Sequence, residues 1–280
     1  MNRTPANRIM TAEEMPARPF LKWVGGKRQL LSHIRQIVPA SFRGYYEPFV
    51  GGGAVFFDLR PKQATLFDIN AELVNTWKVV RDNVEPLISA LGKYVYEESR
   101  YYAVRAIEPL SLSPVARAAR MIYLNKTGYN GLYRVNRSGT FNVPFGRHSN
   151  PTICDAANLR RAGAALQRVT VQCASFEGIA SVAGKGDLVY LDPPYIPASR
   201  SSNFVSYQKR GFGMDNQERL AEVVEALDKR GALIILSNSD VPWMRKRYKN
   251  FHIHPIFAMR TVNSLASSRG PVGELIITNY

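Results

Sequence analysis

The tetrapeptide D-P-P-Y at 192–195 follows an apolar, strand-like run and carries the clearest chemistry in the chain. Adenine's exocyclic amine is a poor nucleophile because its lone pair is delocalised into the ring. The Asp192 carboxylate and the Pro193 carbonyl can both accept its N–H bonds and aim the lone pair at a donor methyl, and Pro193 and Pro194 stiffen that backbone. Tyr195 offers a ring for stacking on a base taken out of a duplex. The turn favours methylation of an amine over an incidental proline-rich turn.

A glycine-rich turn, E-P-F-V-G-G-G at 47–53, follows an earlier strand-like run. Glycines such as Gly51 and Gly53 let the backbone approach a ligand closely, and Phe49 can flank an adenine ring. The pattern departs from the dinucleotide fingerprint G-x-G-x-x-G because position 56 is Phe. By itself, the pattern is equally compatible with a tight turn in any α/β protein.

Two further segments are candidates for ligand contact. Asp68 ends the next strand-like run, where an acidic residue can accept hydrogen bonds from ribose hydroxyls; it can also cap the following helix. In K-W-V-G-G-K at 22–27, the glycines indicate close approach to a ligand, with Lys27 near an anionic group such as a carboxylate. The alternative is that Trp23 is a core aromatic and the lysines are solvated.

The composition indicates a polyanionic partner. Lys and Arg number 37 against 22 Asp and Glu, which gives a net charge of +15, and each phosphate contact releases counterions. Cys154 and Cys173 form no C-x-x-C pair, and the four histidines show no metal spacing, so we predict a reducing cytoplasm and no metal. No apolar run of about 18 residues exists, which predicts no membrane span. Residues 1–19 have the composition of a mobile tail.

The apolar patterns predict a mostly parallel α/β sheet. Four runs have strand character: 44–50, 64–67, 187–191 and 232–236. Between the last two, an apolar stripe predicts a helix that starts at a capping box of Asp215 and Glu218 and ends at Gly231. Strand, helix, strand in this order implies a right-handed crossover.

The middle of the chain has a different pattern. Ser113 and Pro114 predict the start of a helix that ends near Gly128, and 132–143 alternates around a Ser-Gly turn as a hairpin does. We therefore predict a discontinuous catalytic domain interrupted by an inserted helical module. The predicted catalytic domain covers 20–70 and 158–280, and the inserted module covers 71–157.

Six motifs together resemble the Dam family, the D12 class of adenine-N6 DNA methyltransferases. They occur in that family's order: F-L-K-W-x-G-G-K at 20–27, E-P-F-V-G-x-G at 47–53, D-I-N at 68–70, G-Y-N-G-L at 128–132, F-N-V-P-F-G at 141–146 and D-P-P-Y at 192–195. The resemblance extends from about residue 20 to the C-terminus. It implies a Rossmann-like fold that binds S-adenosyl-L-methionine, with an inserted DNA-recognition module whose β-hairpin enters the major groove of double-stranded DNA. It implies no obligate protein partner.

The resemblance also implies roles for matching positions. Asp192 would lie at the junction of cofactor and target amine, and Tyr195 would stack on the flipped adenine. The implied cofactor contacts are Trp23, Lys27, Phe49, Gly51, Gly53, Asp68 and Asp192. The implied DNA contacts are Lys22, Tyr129, Asn130, Leu132, Arg134 and Pro144. Lys22 matches a position that contacts the first guanine of GATC. Val24 and Tyr133 depart from the family pattern and bear on which bases are recognised.

The side-chain chemistry of the hairpin gives the same picture independently. Leu132 can touch a thymine methyl and Arg134 can donate to guanine O6 and N7; hairpin packing and a solvated arginine are the alternatives. The segment 196–213 has the composition of a long loop that contacts phosphates or forms a lid. Three other functions stay open: methylation of cytosine N4, methylation of RNA, and DNA binding without catalysis. Asp192 favours adenine over cytosine.

Overall fold

A computed structural model describes residues 15–23, 25, 30–197, 212–259 and 271–280. Val24 and Lys27 lie outside the described residues, as do most of the predicted tail and the part 198–211 of the predicted lid loop.

The described chain forms two compact units. The first comprises the described residues up to 25, with Gly52–Asp58 and Asn75–Gln167. The second comprises 30–51, Leu59–Val74 and the described residues after 167. The predicted domain boundaries stay a prediction.

The second unit holds a seven-stranded sheet within the described residues. Its strands are β1 (Tyr45–Pro48), β2 (Ala64–Asp68), β3 (Val169–Cys173), β4 (Leu188–Leu191), β5 (Leu233–Ser239), β6 (His252–Met259) and β7 (Pro271–Thr278). The order is β3-β2-β1-β4-β5-β7-β6, with the first five strands parallel and β7 antiparallel to both of its neighbours. The predicted Rossmann-like α/β sheet is confirmed.

Two strand boundaries differ from the prediction. The strand predicted over 44–50 ends at Pro48, because Phe49 has a φ of 74° that breaks the extended backbone. The strand predicted over 232–236 continues to Ser239, with polar side chains buried at its end. The apolar pattern predicted none of the strands β3, β6 and β7. Thr170 and Gln172 interrupt the apolar pattern of β3.

The helices of the described chain carry the labels α1 to α10. They are α1 (Leu31–Ile37), α2 (Ala54–Leu59), α3 (Ala71–Asp82), α4 (Val84–Leu91), α5 (Glu98–Ala106), α6 (Pro114–Thr127), α7 (Ala156–Ala165), α8 (Ile179–Val182), α9 (Met214–Lys229) and α10 (Pro242–Arg247). No helix among the described residues is both long and apolar enough to cross a membrane.

Helix α9 packs its predicted apolar stripe on the sheet. Leu220, Val224 and Leu227 are buried in the core of the second unit. The predicted capping box is wrong: the helix begins after Gly213, so Asp215 lies inside the first turn and no side chain caps the helix. The end of the helix agrees with the prediction, since Gly231 follows it with a φ of 76°.

The first unit contains the predicted helical segment. Helix α6 begins as predicted, where the Ser113 hydroxyl accepts a hydrogen bond from the Ala116 N–H at 3.3 Å, and α4 and α5 pack against it. The hairpin is confirmed in outline. Val135 bridges Phe141, and the Asn142 N–H donates to the Arg134 carbonyl at 3.0 Å. Isolated bridges replace the continuous ladder that the alternating pattern predicts.

Candidate active site

Three predicted site segments follow neighbouring strands of the sheet. Phe49 follows β1, Asp68 ends β2 and Asp192 follows β4. Strand β1 lies between β2 and β4, and all three strands are parallel. The carboxyl ends of parallel strands meet at one edge of a sheet, where open α/β folds bind ligands. The fold therefore brings these segments to one edge.

Asp68 ties the glycine-rich turn to the end of β2. Its Oδ2 accepts a hydrogen bond from the Gly51 N–H at 3.2 Å, and its Oδ1 accepts one from the Asn70 N–H at 2.9 Å. Helix α3 is capped instead by the Asn70 side chain, which accepts from the Glu72 and Leu73 N–H groups. The interpretation of Asp68 as the helix cap is therefore wrong. Burial raises the pKa of Asp68, while the backbone hydrogen bonds oppose that shift.

Phe49 has a conformation that large residues rarely adopt. Its φ is 74°, in the left-handed region where a bulky side chain is strained. Its ring stacks on Phe176 with centroids 5.3 Å apart and meets the edge of Phe212 at 5.6 Å. Phe176 follows β3 at the same carboxyl edge. The three rings form an aromatic cluster whose chemistry suits an adenine ring.

The glycine at the end of the turn is required by packing. Gly53 has a φ of 67°, and a Cβ at this position would lie 2.4 Å from the Trp77 ring. Both residues belong to the first unit. A side chain at position 53 would force either the turn or the indole to move.

The Asp192 carboxylate is held by a hydroxyl on the neighbouring strand. Ser237 on β5 donates from its Oγ to the Asp192 Oδ1 at 3.0 Å. The same Oγ lies 3.2 Å from the Tyr190 hydroxyl, in the buried interior. Ser237 is fully buried and Asp192 is half-buried, so the contact lies at the boundary between the core and the surface. The result is one fixed orientation of the carboxylate at the edge of the sheet.

A largely buried network of amide side chains holds the backbone that follows Pro193. Gln217 donates to the Pro194 carbonyl at 2.9 Å, and the Ile196 N–H donates to the Asn238 Oδ1 at 3.1 Å. The Asn238 amide also donates to the Gln217 Oε1 at 3.2 Å. The network connects the turn to α9 and β5 and supports the backbone that carries the Pro193 carbonyl.

These polar residues were not predicted, although the sequence contains two signals for them. Ser237 and Asn238 belong to an S-N-S run that ends an otherwise apolar strand. Gln217 precedes Leu220 and Val224 at helical spacing, so it falls on the buried stripe of α9. A polar side chain in a buried stripe needs a partner, and here the partner is the backbone of the D-P-P-Y turn.

Tyr195 is oriented by a carboxylate from β7. Its hydroxyl donates to the Glu274 Oε2 at 3.2 Å. Burial and the nearby carboxylates raise the pKa of Tyr195 well above its usual value, so the phenol stays neutral. Glu274 was not predicted, because it lies 79 residues further along the chain in a strand that the sequence pattern did not reveal.

The predicted DNA-contacting residues all lie in the first unit. The Tyr129 N–H donates to the Pro144 carbonyl at 2.9 Å, so these two positions are adjacent. Leu132 is half-buried against the aromatic core of this unit. Asn130 has a φ of 53°. Apart from Leu132, the set is exposed: Lys22, Tyr129, Asn130, Arg134 and Pro144.

Two of the aromatic and basic candidates already have partners within the protein. Trp23 stacks on Tyr133 with ring centroids 5.5 Å apart. Arg134 donates from its Nε to the Asn142 Oδ1 at 2.7 Å and from its Nη2 to the Asn142 carbonyl at 3.1 Å. The contact of Arg134 lies at the surface, where it can be exchanged for another acceptor. The cofactor role of Trp23 stays a prediction.

A basic groove of about 480 Å³ lies in the first unit. It is lined by Lys22, Lys126, Arg147, His148, Ser149, Pro151 and Thr152. Between residues 99 and 154 the sequence contains eight Arg or Lys residues and one acidic residue, Glu108. This fifth of the chain thus carries eight minus one, or +7, of the net charge of +15, because acidic residues are almost absent from it, and this balance suits a polyanion.

The sequence matches known proteins along most of its length. Residues 23–262 match the family described as D12 class N6 adenine-specific DNA methyltransferase. The type II methyltransferase M1.LlaDCHI of Lactococcus lactis subsp. cremoris is 42% identical, over 97% of this chain and 99% of that protein. The type II methyltransferase M.MjaIII of Methanocaldococcus jannaschii is also 42% identical, over 95% and 100%.

The DNA adenine methylase of Escherichia coli strain K12 is 35% identical, over 92% of this chain and 94% of that protein. The matched residues 23–262 include Phe49, Asp68 and Asp192 at the carboxyl edge of the sheet. The predicted use of S-adenosyl-L-methionine is confirmed at the level of the family. The chain belongs to the D12 class of N6 adenine-specific DNA methyltransferases and methylates adenine in DNA.

Proposed function

We propose that this enzyme methylates the N6 amine of an adenine flipped out of duplex DNA within the sequence GATC. The observation that carries the catalytic part is the orientation of Asp192 by Ser237 at the carboxyl edge of the sheet. Asp68 and Phe49 follow the neighbouring strands of that edge. One edge thus combines an oriented acceptor for the amine with the groups that suit a nucleoside.

The residues of this edge fit S-adenosyl-L-methionine. The partly desolvated Asp68 carboxylate suits the ribose hydroxyls, and the aromatic cluster around Phe49 suits the adenine ring. The backbone of Gly51 allows the cofactor to approach closely. Trp23 and Lys27 are further proposed cofactor contacts. When bound, the cofactor supplies an electrophilic methyl group. The side chains of this protein position the amine, which loses one N–H proton when the N–CH₃ bond forms, and the Asp192 carboxylate is placed to accept that proton.

Asp192 and Pro193 supply the two acceptors for the target amine. A carboxylate has about four lone-pair sites, so Asp192 can keep its bond from Ser237 and accept an N–H of the amine as well. The Pro193 carbonyl accepts the second N–H. Both bonds draw the nitrogen toward tetrahedral geometry and strengthen its nucleophilicity. Tyr195 stacks on the flipped base, in an orientation that Glu274 holds.

Ser237→Ala is expected to lower kcat about tenfold while the affinity for cofactor stays the same. A hydrogen bond to a charged group contributes about 1.5–3 kcal/mol, and part of that free energy orients Asp192. Single-turnover methylation of duplex DNA and calorimetric titration of cofactor measure the two quantities.

Ser239→Ala is the matched control for Ser237→Ala. Ser239 lies two residues further along β5 and is equally buried, but its Oγ has no hydrogen-bond partner among the described residues. The control should retain the wild-type kcat. An equal loss in both variants would show that the strand tolerates no substitution and that Ser237 has no specific role.

The proposed site GATC is supported by three side chains of the first unit. Arg134 suits a guanine, Leu132 suits the thymine methyl, and Lys22 reaches from the N-terminal segment. Arg134 and Lys22 are exposed, and the surface contact of Arg134 with Asn142 can be exchanged for the base. The identity with two type II methyltransferases supports a role in type II restriction–modification. We place the enzyme in the cytoplasm, at the nucleoid, because its substrate is duplex DNA.

Arg134→Ala is expected to slow methylation of GATC and to add near-cognate sites that differ at one base pair. Loss of a bidentate arginine contact costs about 1–3 kcal/mol at that pair alone. Methylation-sensitive sequencing of DNA from cells that express the variant reports both base and context. Methylated cytosine, or adenines outside GATC in the wild-type pattern, would overturn the proposed site.

Arg147→Ala is the contrasting variant. Arg147 is exposed and lines the basic groove, so its loss should weaken binding to every sequence equally. The slope of the logarithm of DNA affinity against the logarithm of salt concentration should become shallower by about one unit. If Arg134→Ala behaves in the same way, with no new sites, Arg134 contacts the phosphate backbone and reads no base.

A further inference from the structure

One buried asparagine connects two segments that are proposed to read DNA. Asn125 lies near the end of α6 and is 2% exposed. Its Oδ1 accepts a hydrogen bond from the Lys22 N–H, and its Nδ2 donates to the Lys22 carbonyl, both at 2.8 Å. The same Nδ2 donates to the Gly131 carbonyl at 2.8 Å. A single side chain thus fixes the backbone of Lys22 and of the residue that precedes Leu132.

The contact between Lys22 and Gly131 is tight enough to exclude a side chain at position 131. Gly131 has a φ of 64°, and a Cβ there would lie 2.5 Å from the Lys22 Cδ and 2.7 Å from its Cβ. The aliphatic part of Lys22 therefore lies directly on the Gly131 backbone. Because the amide of Asn125 fixes the backbone and Gly131 fixes the stem, few orientations remain for the lysine.

This arrangement sets where the charged end of Lys22 lies. Lys22 is exposed and lines the basic groove beside Lys126 and Arg147. The hairpin that carries Leu132 and Arg134 begins at the residue after Gly131. The distance between the lysine and the hairpin is therefore set by local contacts within the first unit.

We propose that Asn125 and Gly131 determine sequence specificity by positioning Lys22 against the start of the hairpin. We call the three residues Lys22, Asn125 and Gly131 the recognition joint. The proposal rests on the proposed function, in which Lys22 and the hairpin contact bases of one site. Neither Asn125 nor Gly131 needs to touch DNA. Each acts through Lys22 and keeps this lysine at a fixed distance from Leu132 and Arg134, which read the other bases of the site.

The test uses two variants that disturb the recognition joint in different ways. Asn125→Asp keeps an acceptor for the Lys22 N–H but removes the amide that donates to the two carbonyls. Gly131→Ala leaves Asn125 intact and displaces the lysine stem. Both should lower kcat/KM on GATC duplexes about 10- to 100-fold, the range for small displacements of a positioned group. Both should reduce discrimination against duplexes altered at the base pair that Lys22 reads.

Asn158→Asp is the matched control. Asn158 is also 2% exposed, and its amide bonds the backbone of Arg18 in the same way, with an Oδ1 contact of 3.1 Å and an Nδ2 contact of 3.0 Å. Arg18 is not among the residues proposed to read DNA. Asn158→Asp introduces the same buried carboxylate as Asn125→Asp, but it should not change discrimination between GATC and altered duplexes. Affinity for cofactor and the thermal unfolding midpoint identify folded variants. If Asn125→Asp does not fold, Gly131→Ala alone tests whether the recognition joint positions Lys22.

A Lys22→Ala background separates positioning from general damage. If Asn125 and Gly131 act through Lys22, adding Asn125→Asp or Gly131→Ala to Lys22→Ala should change discrimination less than about twofold, because coupled sites are not additive. Full additivity would overturn the recognition joint. If Lys22→Ala alone leaves discrimination intact, the proposed reading by Lys22 fails. If Lys22→Ala relaxes discrimination and neither joint variant does, the function stands and the joint fails.

Discussion

Asp192→Ala is expected to lower the kcat of methyl transfer about 10²- to 10³-fold while the protein stays folded and binds its cofactor. Asp192 follows β4, and its carboxylate accepts a hydrogen bond from Ser237. In the proposed function this carboxylate also accepts an N–H of the target amine. Removal of one pre-positioned polar group at a reacting centre costs about 10²- to 10³-fold in kcat. Transfer of a labelled methyl group to duplex DNA under single-turnover conditions measures the effect.

Asp192→Asn tests the same assignment with almost no change in shape. One carboxylate oxygen becomes an NH₂ group, which donates and cannot accept an N–H of the amine. The Ser237 hydroxyl and the amine would then compete for one oxygen. We expect severe impairment, with a kcat between those of Asp192→Ala and the wild type. Near-normal turnover by a folded Asp192→Ala protein would remove Asp192 from the mechanism.

The edge of the sheet was predictable because its signals are local. Asp68 and Asp192 each stand directly after a short apolar run, and Phe49 lies near the end of the run 44–50. Parallel strands bring such positions together without further information. The run 64–67 matches β2 to within one residue. Glycines marked the turn because Gly53 has a left-handed backbone and no room for a Cβ. Composition and spacing therefore located the residues that are proposed to touch substrates.

The supporting groups were not predictable in the same way, because their partners are distant in sequence. Ser237 lies 45 residues from Asp192, and Glu274 lies 79 residues from Tyr195. A hydroxyl or carboxylate in a strand shows its role only when the strand order is known. Strand β7 lies antiparallel between β5 and β6, an arrangement that the apolar pattern did not indicate. Such pairings depend on the fold and not on local spacing.

For Arg134 and Trp23 the residue type alone did not identify the partner, because an arginine or a tryptophan suits several partners equally well. Arg134 was a candidate guanine reader, with hairpin packing on a solvated face as the alternative, and the structure shows it bonded to Asn142 within the hairpin. Trp23 was a candidate cofactor contact or core aromatic, and it stacks on Tyr133. The contact of Arg134 lies at the surface, where a DNA base can replace Asn142, whereas Trp23 is half-buried and its cofactor role stays a prediction.

Asp68→Ala is expected to raise the Kd for S-adenosyl-L-methionine about 10- to 150-fold. The variant loses a charge-assisted acceptor, which contributes about 1.5–3 kcal/mol, and it frees the turn at Gly51. Asn70→Ala is the control, because Asn70 caps α3 and has no carboxylate. That variant should lose about 1 kcal/mol of stability with little change in Kd. Calorimetric titration and thermal unfolding separate the two effects.

The same carboxylate should make cofactor affinity depend on pH. Burial raises the pKa of Asp68, with hydrogen bonds from the Asn70 and Gly51 N–H groups opposing the shift. The charged acceptor is present above this raised pKa and is lost as the pH falls through it. Affinity should therefore begin to decline at a higher pH than an exposed aspartate would give. Asp68→Asn cannot titrate, so its weaker affinity should lack this component, while titration of the cofactor itself affects both proteins equally. Parallel pH profiles for the wild type and Asp68→Asn would show that the Asp68 carboxylate does not bind the cofactor.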